Sequence, residues 1–177
     1  MEICSGGAAS AKGFYVSSTK AGIKYQGRLD MAAIFSDTPC IAAAAFTTNI
    51  VKAAPVKYDR QIVDNSPFIR AVIINTGIAN ACTGADGMAY CEETAKEAAK
   101  VFDVPESSVL VASTGVIGMS LPIDRIVKGI GALKGELADS IEAQTQAAKA
   151  IMTTDTKEKQ ACVKFMIGGK EVTIGGM

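Results

Sequence analysis

Two short apolar runs, Ala71–Ile74 and Val109–Val111, bracket a segment in which Met88, Cys91, Ala95, Ala98 and Phe102 recur at three- and four-residue spacing opposite Glu92, Glu93, Lys96 and Lys100. Short runs of that kind suit strands, and the intervening periodicity suits an amphipathic helix. A chain that holds sheet and helix in succession suits the α/β class. Further runs at Phe14–Val16, Met31–Phe35 and Ile41–Phe46, bounded by Gly, Pro, Asn, Asp or Ser clusters, predict more strands. Pro55 opens a short helix through Val63. Ile123, Ile126, Val127, Ile130 and Leu133 mark another helix behind Ser120-Leu-Pro122, and a third runs from Ser140 to about Met152 with Asp139 or Ser140 as its cap. Ala161, Val163, Phe165 and Ile167 alternate up to Gly168-Gly169 and the pattern resumes at Val172 and Ile174, which reads as a hairpin. No repeat, charge block or low-complexity linker divides the 177 residues, so a single domain spanning 1–177 is expected.

Charge and cysteine usage narrow the function classes. Lysine plus arginine equal aspartate plus glutamate at 18 each, so no long-range field favours nucleic acid or an anionic membrane as partner. Five scattered cysteines, with no Cys-x-x-Cys pair, predict free thiols in a reducing compartment and hence a cytoplasmic protein without a disulfide or zinc site. The start, Met1-Glu-Ile-Cys-Ser-Gly-Gly, resembles neither a secretory signal nor a transit peptide, and the longest apolar run is too short to cross a bilayer. The chain is expected to be soluble. It stops on Gly175-Gly-Met177 with neither cap nor polar tail, so the last strand is expected to continue into further chain.

The stretch Val111-Ala-Ser-Thr-Gly-Val-Ile-Gly118 ends an apolar run on a hydroxyl and a glycine. Thr114 and the unobstructed N–H of Gly115 would lie side by side at the end of a strand, where a developing oxyanion can be held. Strand punctuation would use the same residues. The chain contains no histidine, so Ser/His and Cys/His pairs and histidine-based metal sites cannot be built from it alone, and no metal or cofactor is expected. A base must be of another kind or come from another polypeptide.

Other motifs carry two readings each. The loop Asn75-Thr-Gly-Ile-Ala-Asn-Ala-Cys-Thr-Gly-Ala-Asp-Gly87 is either a ligand loop or a tight connection whose Asn and Gly supply left-handed conformations. Cys82 within it reads as an incidental thiol. Met152-Thr-Thr-Asp-Thr156 offers three hydroxyls and a carboxylate in five residues, for substrate or for turn and cap bonds. Arg28, Asp30 and Asp37 suit a structural ion pair or turn caps. Gly129-Ile-Gly131-Ala-Leu-Lys-Gly135 lies within a helical pattern and fails as a dinucleotide fingerprint.

Taken in order, Ala21-Gly-Ile-Lys-Tyr-Gln-Gly-Arg-Leu-Asp30, Phe46-Thr-Thr-Asn-Ile-Val-Lys-Ala-Ala-Pro-Val56, the loop from Asn75 to Gly84, Ser113-Thr-Gly-Val-Ile-Gly118 and Ile151-Met-Thr-Thr-Asp-Thr156 resemble the ornithine acetyltransferase (glutamate N-acetyltransferase) family of arginine biosynthesis, and specifically its α chain. The resemblance implies a layered α/β sandwich of N-terminal-nucleophile-like type, completed by a β chain. In that family a precursor cleaves itself before a threonine, whose freed α-amino group serves as base and whose hydroxyl is the nucleophile. The acetyl group of N-acetylornithine passes to this threonine and then to glutamate. Acetyl-CoA as a second donor stays open, and two α and two β chains form the implied heterotetramer. Thr114 and Gly115 take the oxyanion-hole role, and Thr153 or Thr154 contacts substrate, with Thr153 preferred. Ile78 stands where the family carries a polar residue, and the cleavage junction would lie beyond Met177. Two alternatives stand beside this: an amidohydrolase or aminopeptidase of related architecture, and a non-catalytic small-molecule-binding module.

Overall fold

A computed structural model describes residues 1–177. Its elements are β1 (Glu2–Cys4), β2 (Phe14–Thr19), β3 (Met31–Cys40), α1 (Ala54–Asn65), β4 (Ile69–Ile78), α2 (Gly84–Phe102), β5 (Val109–Val116), α3 (Ile123–Leu133), α4 (Ile141–Ala150), β6 (Ala161–Ile167) and β7 (Lys170–Gly176). Four strands form one sheet in the order β2-β3-β4-β5, antiparallel except for the final parallel pair, and α2 is the crossover that this pair requires. The order β1-β6-β7 makes a second, antiparallel sheet.

The two-residue period of the strands sorts the core. Met31 and Ala33 of β3, Ala71 and Ile73 of β4, and Val109 and Val111 of β5 pack under α1, α2 and α3 in one apolar cluster with Ala95, Ala98, Phe102, Ile126, Ile130 and Leu133. Val16 and Ala32 point to the opposite face, where Ala147 and Ala150 of α4 cover them. Gly129 lets α3 approach the sheet: a Cβ there would lie 2.9 Å from that of Ala21 and against the Met31 sulfur. Further along the second face, Val72, Ile74, Leu110 and Ala112 are only half-buried. The layered α/β architecture expected from the sequence is present.

Three expectations need correction. Ile41–Phe46 is not a strand: it follows β3 as an irregular, mostly exposed segment, because its four alanines bury too little surface to hold a place in the sheet. Strand β1 was absent from the periodic reading, since three residues cannot show a period. The cysteines are not all free. Cys4 and Cys162 face each other in the β1–β6 register and are joined by a disulfide, with Cα atoms 5.2 Å apart. Their 158-residue separation hides that proximity from any reading of spacing. Cys40, Cys82 and Cys91 are free thiols. No helix is long and apolar enough to cross a membrane.

Candidate functional site

Strand β5 runs past the apolar stretch that predicts it, so Ser113, Thr114 and Gly115 lie within the strand and pair in parallel with Asn75, Thr76 and Gly77 of β4. Because β5 is the last strand of its sheet, every second N–H faces away from β4. The Val111 N–H is one of these and donates to Asp59 Oδ1 of α1 at 2.9 Å, whereas the Val116 carbonyl faces β4 and accepts from Ala79 N at 3.0 Å. By the same alternation the Gly115 N–H points outward, on the side of Val111, with the exposed Thr114 beside it. Gly115 has φ +136°, and a Cβ there would strike the Gly77 carbonyl and lie 2.6 Å from Ile78 N. Only glycine can bring this donor to the edge.

Beneath this edge, buried side chains fix the strand. Asn75 accepts from Ser113 Oγ at 2.5 Å and donates through Nδ2 to the Ile78 carbonyl at 3.2 Å, tying the ends of β4 and β5 together. Asp59 sits in an environment without a cationic partner, and burial pushes its carboxyl up to about 7 against the lowering effect of the Val111 N–H. Burial likewise pushes the nearby Cys91 thiol up to about 12, with the Asp59 charge adding to it, and raises the Tyr58 hydroxyl. Neither group is set up as a nucleophile.

The 151–156 segment is tied to β4 and to the β2–β3 connection at its start. Thr76, fully buried between strands and α4, donates through Oγ1 to the Ala150 carbonyl at 2.9 Å, and Arg28 donates through its guanidinium to the Met152 carbonyl. Thr153 follows directly and is half-buried; Thr154 is exposed. Asp155 turns back into the segment: the hydrogen bond and charge of Lys159, and then the Thr153 N–H, hold its carboxyl below the usual range. The carboxylate therefore serves the turn, and the hydroxyl of Thr153 is left for other uses.

The remaining candidates resolve toward structure. Asp30, buried, accepts from Ala21 N at 2.7 Å and Ile23 N at 2.6 Å, so it caps a turn and forms no ion pair with Arg28. In the Asn75–Gly87 loop, Asn80 donates to the Gly87 carbonyl at 2.8 Å and accepts from Thr83 Oγ1 at 2.7 Å, so the loop is a tight connection into α2. Ile78 is in the core, and Cys82 is exposed with φ +57°. Gly129 and Gly131 lie inside α3. No group of three or more Cys, Asp or Glu side chains converges as a metal ion would need. No local pattern signals the roles of Arg28, Asp59 and Thr76, since each acts on a backbone group 52 to 124 residues away.

The sequence profile of the ArgJ family matches residues 15–177. Arginine biosynthesis bifunctional protein ArgJ of Thermotoga neapolitana is 46% identical over 94% of this chain and 41% of its own length. The same-named protein of Symbiobacterium thermophilum is 45% identical over 100% of this chain and 44% of its own. The chain thus spans about two fifths of the length of the curated relatives it matches. Among solved structures, arginine biosynthesis bifunctional protein argJ of Bacillus halodurans superposes with a TM-score of 0.92 at 39% identity, covering 99% of this chain and 92% of that one. Ornithine acetyltransferase of Mycobacterium tuberculosis in complex with ornithine gives 0.92 at 38% identity, covering 99% and 93%.

Proposed function

This chain belongs to the ArgJ family, and from that premise we propose that it is the α part of an acetyltransferase that moves the acetyl group of N-acetylornithine to glutamate in arginine biosynthesis. One observation carries the reading: Gly115, held at positive φ, and the exposed Thr114 are adjacent on the edge strand β5, in a chain with no histidine to serve a nucleophile. Thr114 and Gly115 would hold the oxyanion of a tetrahedral intermediate formed on a nucleophile supplied by a second chain, the N-terminal threonine of a β part, whose own amine takes the hydroxyl proton. Thr153 would hold the amino-acid portion of the substrate.

Two further facts support the split into chains. The curated relatives are more than twice as long as this chain, yet the solved chains are covered over 92% and 93% of their own length. Val72, Ile74, Leu110 and Ala112 leave part of the sheet half-covered, and Val116, Ile117 and Met119 are exposed beside the oxyanion edge, as suits a surface completed by another chain. The proposal includes two α and two β chains, acetyl-CoA as an open second donor, and a cytoplasmic location.

Intact-mass analysis of the protein expressed from its full precursor tests this. A second fragment beginning with threonine, together with acetyl transfer from N-acetylornithine that glutamate accelerates, is the expected result. Acetyl loss indifferent to glutamate would replace transfer by hydrolysis, and the absence of both fragment and activity would leave a binding module.

A further inference from the structure

We infer that Arg28 is a positioning residue for the substrate contact at Thr153, an inference that rests on the acetyltransferase reading above. The last carbonyls of a helix have no partner within it and attract cationic donors. Helix α4 ends at Ala150, and its exit is held at two points: Thr76 Oγ1 takes the Ala150 carbonyl at 2.9 Å, and the Arg28 guanidinium takes the Met152 carbonyl. The second bond fixes the peptide unit that leads directly into Thr153. Arg28 is half-buried and is not in any of the three ion pairs of the chain, so its charge is committed to this main-chain contact.

The far end of the clamp is equally fixed. Arg28 sits in the connection between β2 and β3, which Asp30 folds by accepting from Ala21 N and Ile23 N; the Asp30 carbonyl in turn accepts from Thr76 N at 2.9 Å. Thr76 and Gly77 pair with Thr114 and Gly115. Arg28 therefore refers the position of Thr153 to the strand pair that carries the oxyanion donors, so that the two ends of one substrate are held in a fixed relation.

A cap that only stabilised α4 would also use Arg28, and a double-mutant cycle separates the two roles. In the assembled acetyltransferase, with α and β parts together, Arg28→Ala should raise KM for N-acetylornithine about tenfold, the scale of one charge-assisted hydrogen bond. Arg28→Lys, which keeps one donor on a looser stem, should fall between Arg28→Ala and the unchanged protein. In a Thr153→Ala background, Arg28→Ala should add little further change in KM, because the group it positions is gone. An unchanged KM with only a lower melting temperature, or full multiplication of the two KM effects, overturns the inference. Should Arg28→Ala not fold, the same cycle is read with Arg28→Lys. If Thr153→Ala itself leaves KM unchanged, the substrate role of that segment fails, and this inference falls with it for a distinguishable reason.

Discussion

Asp59 is the most exposed test of the energetics, because its carboxyl is half-buried against an edge strand with no ion-pair partner. Its folded-state value of about 7 lies above the ordinary 3.8, so between those limits the folded protein holds a proton that the unfolded chain has released. Stability contributed by the neutral carboxyl is therefore complete below the lower limit, falls as pH rises through the window, and is level above it. At about 1.4 kcal/mol per unit the ceiling is roughly 4 kcal/mol, and residual hydration of the side chain reduces it to about 2 kcal/mol. Asp59→Asn removes the titration and keeps an oxygen acceptor for the Val111 N–H. The variant should be more stable than the unchanged protein by about 2 kcal/mol at roughly pH 8, and the gap should narrow as pH falls and close near roughly pH 4. Urea unfolding of the assembled protein at both pH values measures the difference, and amide exchange at Val111 reports whether the bond persists. Parallel pH dependence of the two proteins would show that Asp59 is ionised in the fold and that the burial argument is wrong.

Other expectations follow from the site and the helices. Thr114→Ala should lower kcat by roughly 10²–10³, equivalent to about 2.7–4 kcal/mol, with KM moving much less, when steady-state kinetics are run on fully cleaved enzyme. Gly115→Ala forces a Cβ into the Gly77 carbonyl, so both acetyl transfer and thermal stability should fall, and a variant normal in both would contradict the positive φ. Exposed Thr154 should tolerate alanine with unchanged KM, in contrast to Thr153, in the same kinetic assay. Ser140 accepts from Ala143 N at 3.2 Å as the N-cap of α4, so Ser140→Ala should cost about 1 kcal/mol in denaturant unfolding and leave kcat intact.

Features that depend on neighbours along the chain were legible before any fold was known. The helices announced themselves because a buried face repeats every three or four residues, as Cys91, Ala95, Ala98 and Phe102 do, and the cap at Ser140 was readable because its bond closes over three residues. The hydroxyl and glycine at 114 and 115 stood out as a candidate oxyanion site because the pairing is carried by adjacent positions. Tertiary structure decided everything that joins distant segments. It extended β5 through Val116, because Asn75 and Ser113 pair across 38 residues, and so turned a supposed strand end into an open strand edge. It left Ile41–Phe46 outside the sheet although the segment is apolar, since its four alanines bury too little surface to hold a place there. It joined Cys4 to Cys162, tied Asp59 to β5, and set Arg28 against the helix exit that leads to Thr153. These contacts depend on chain reversal and register, quantities that no local spacing encodes.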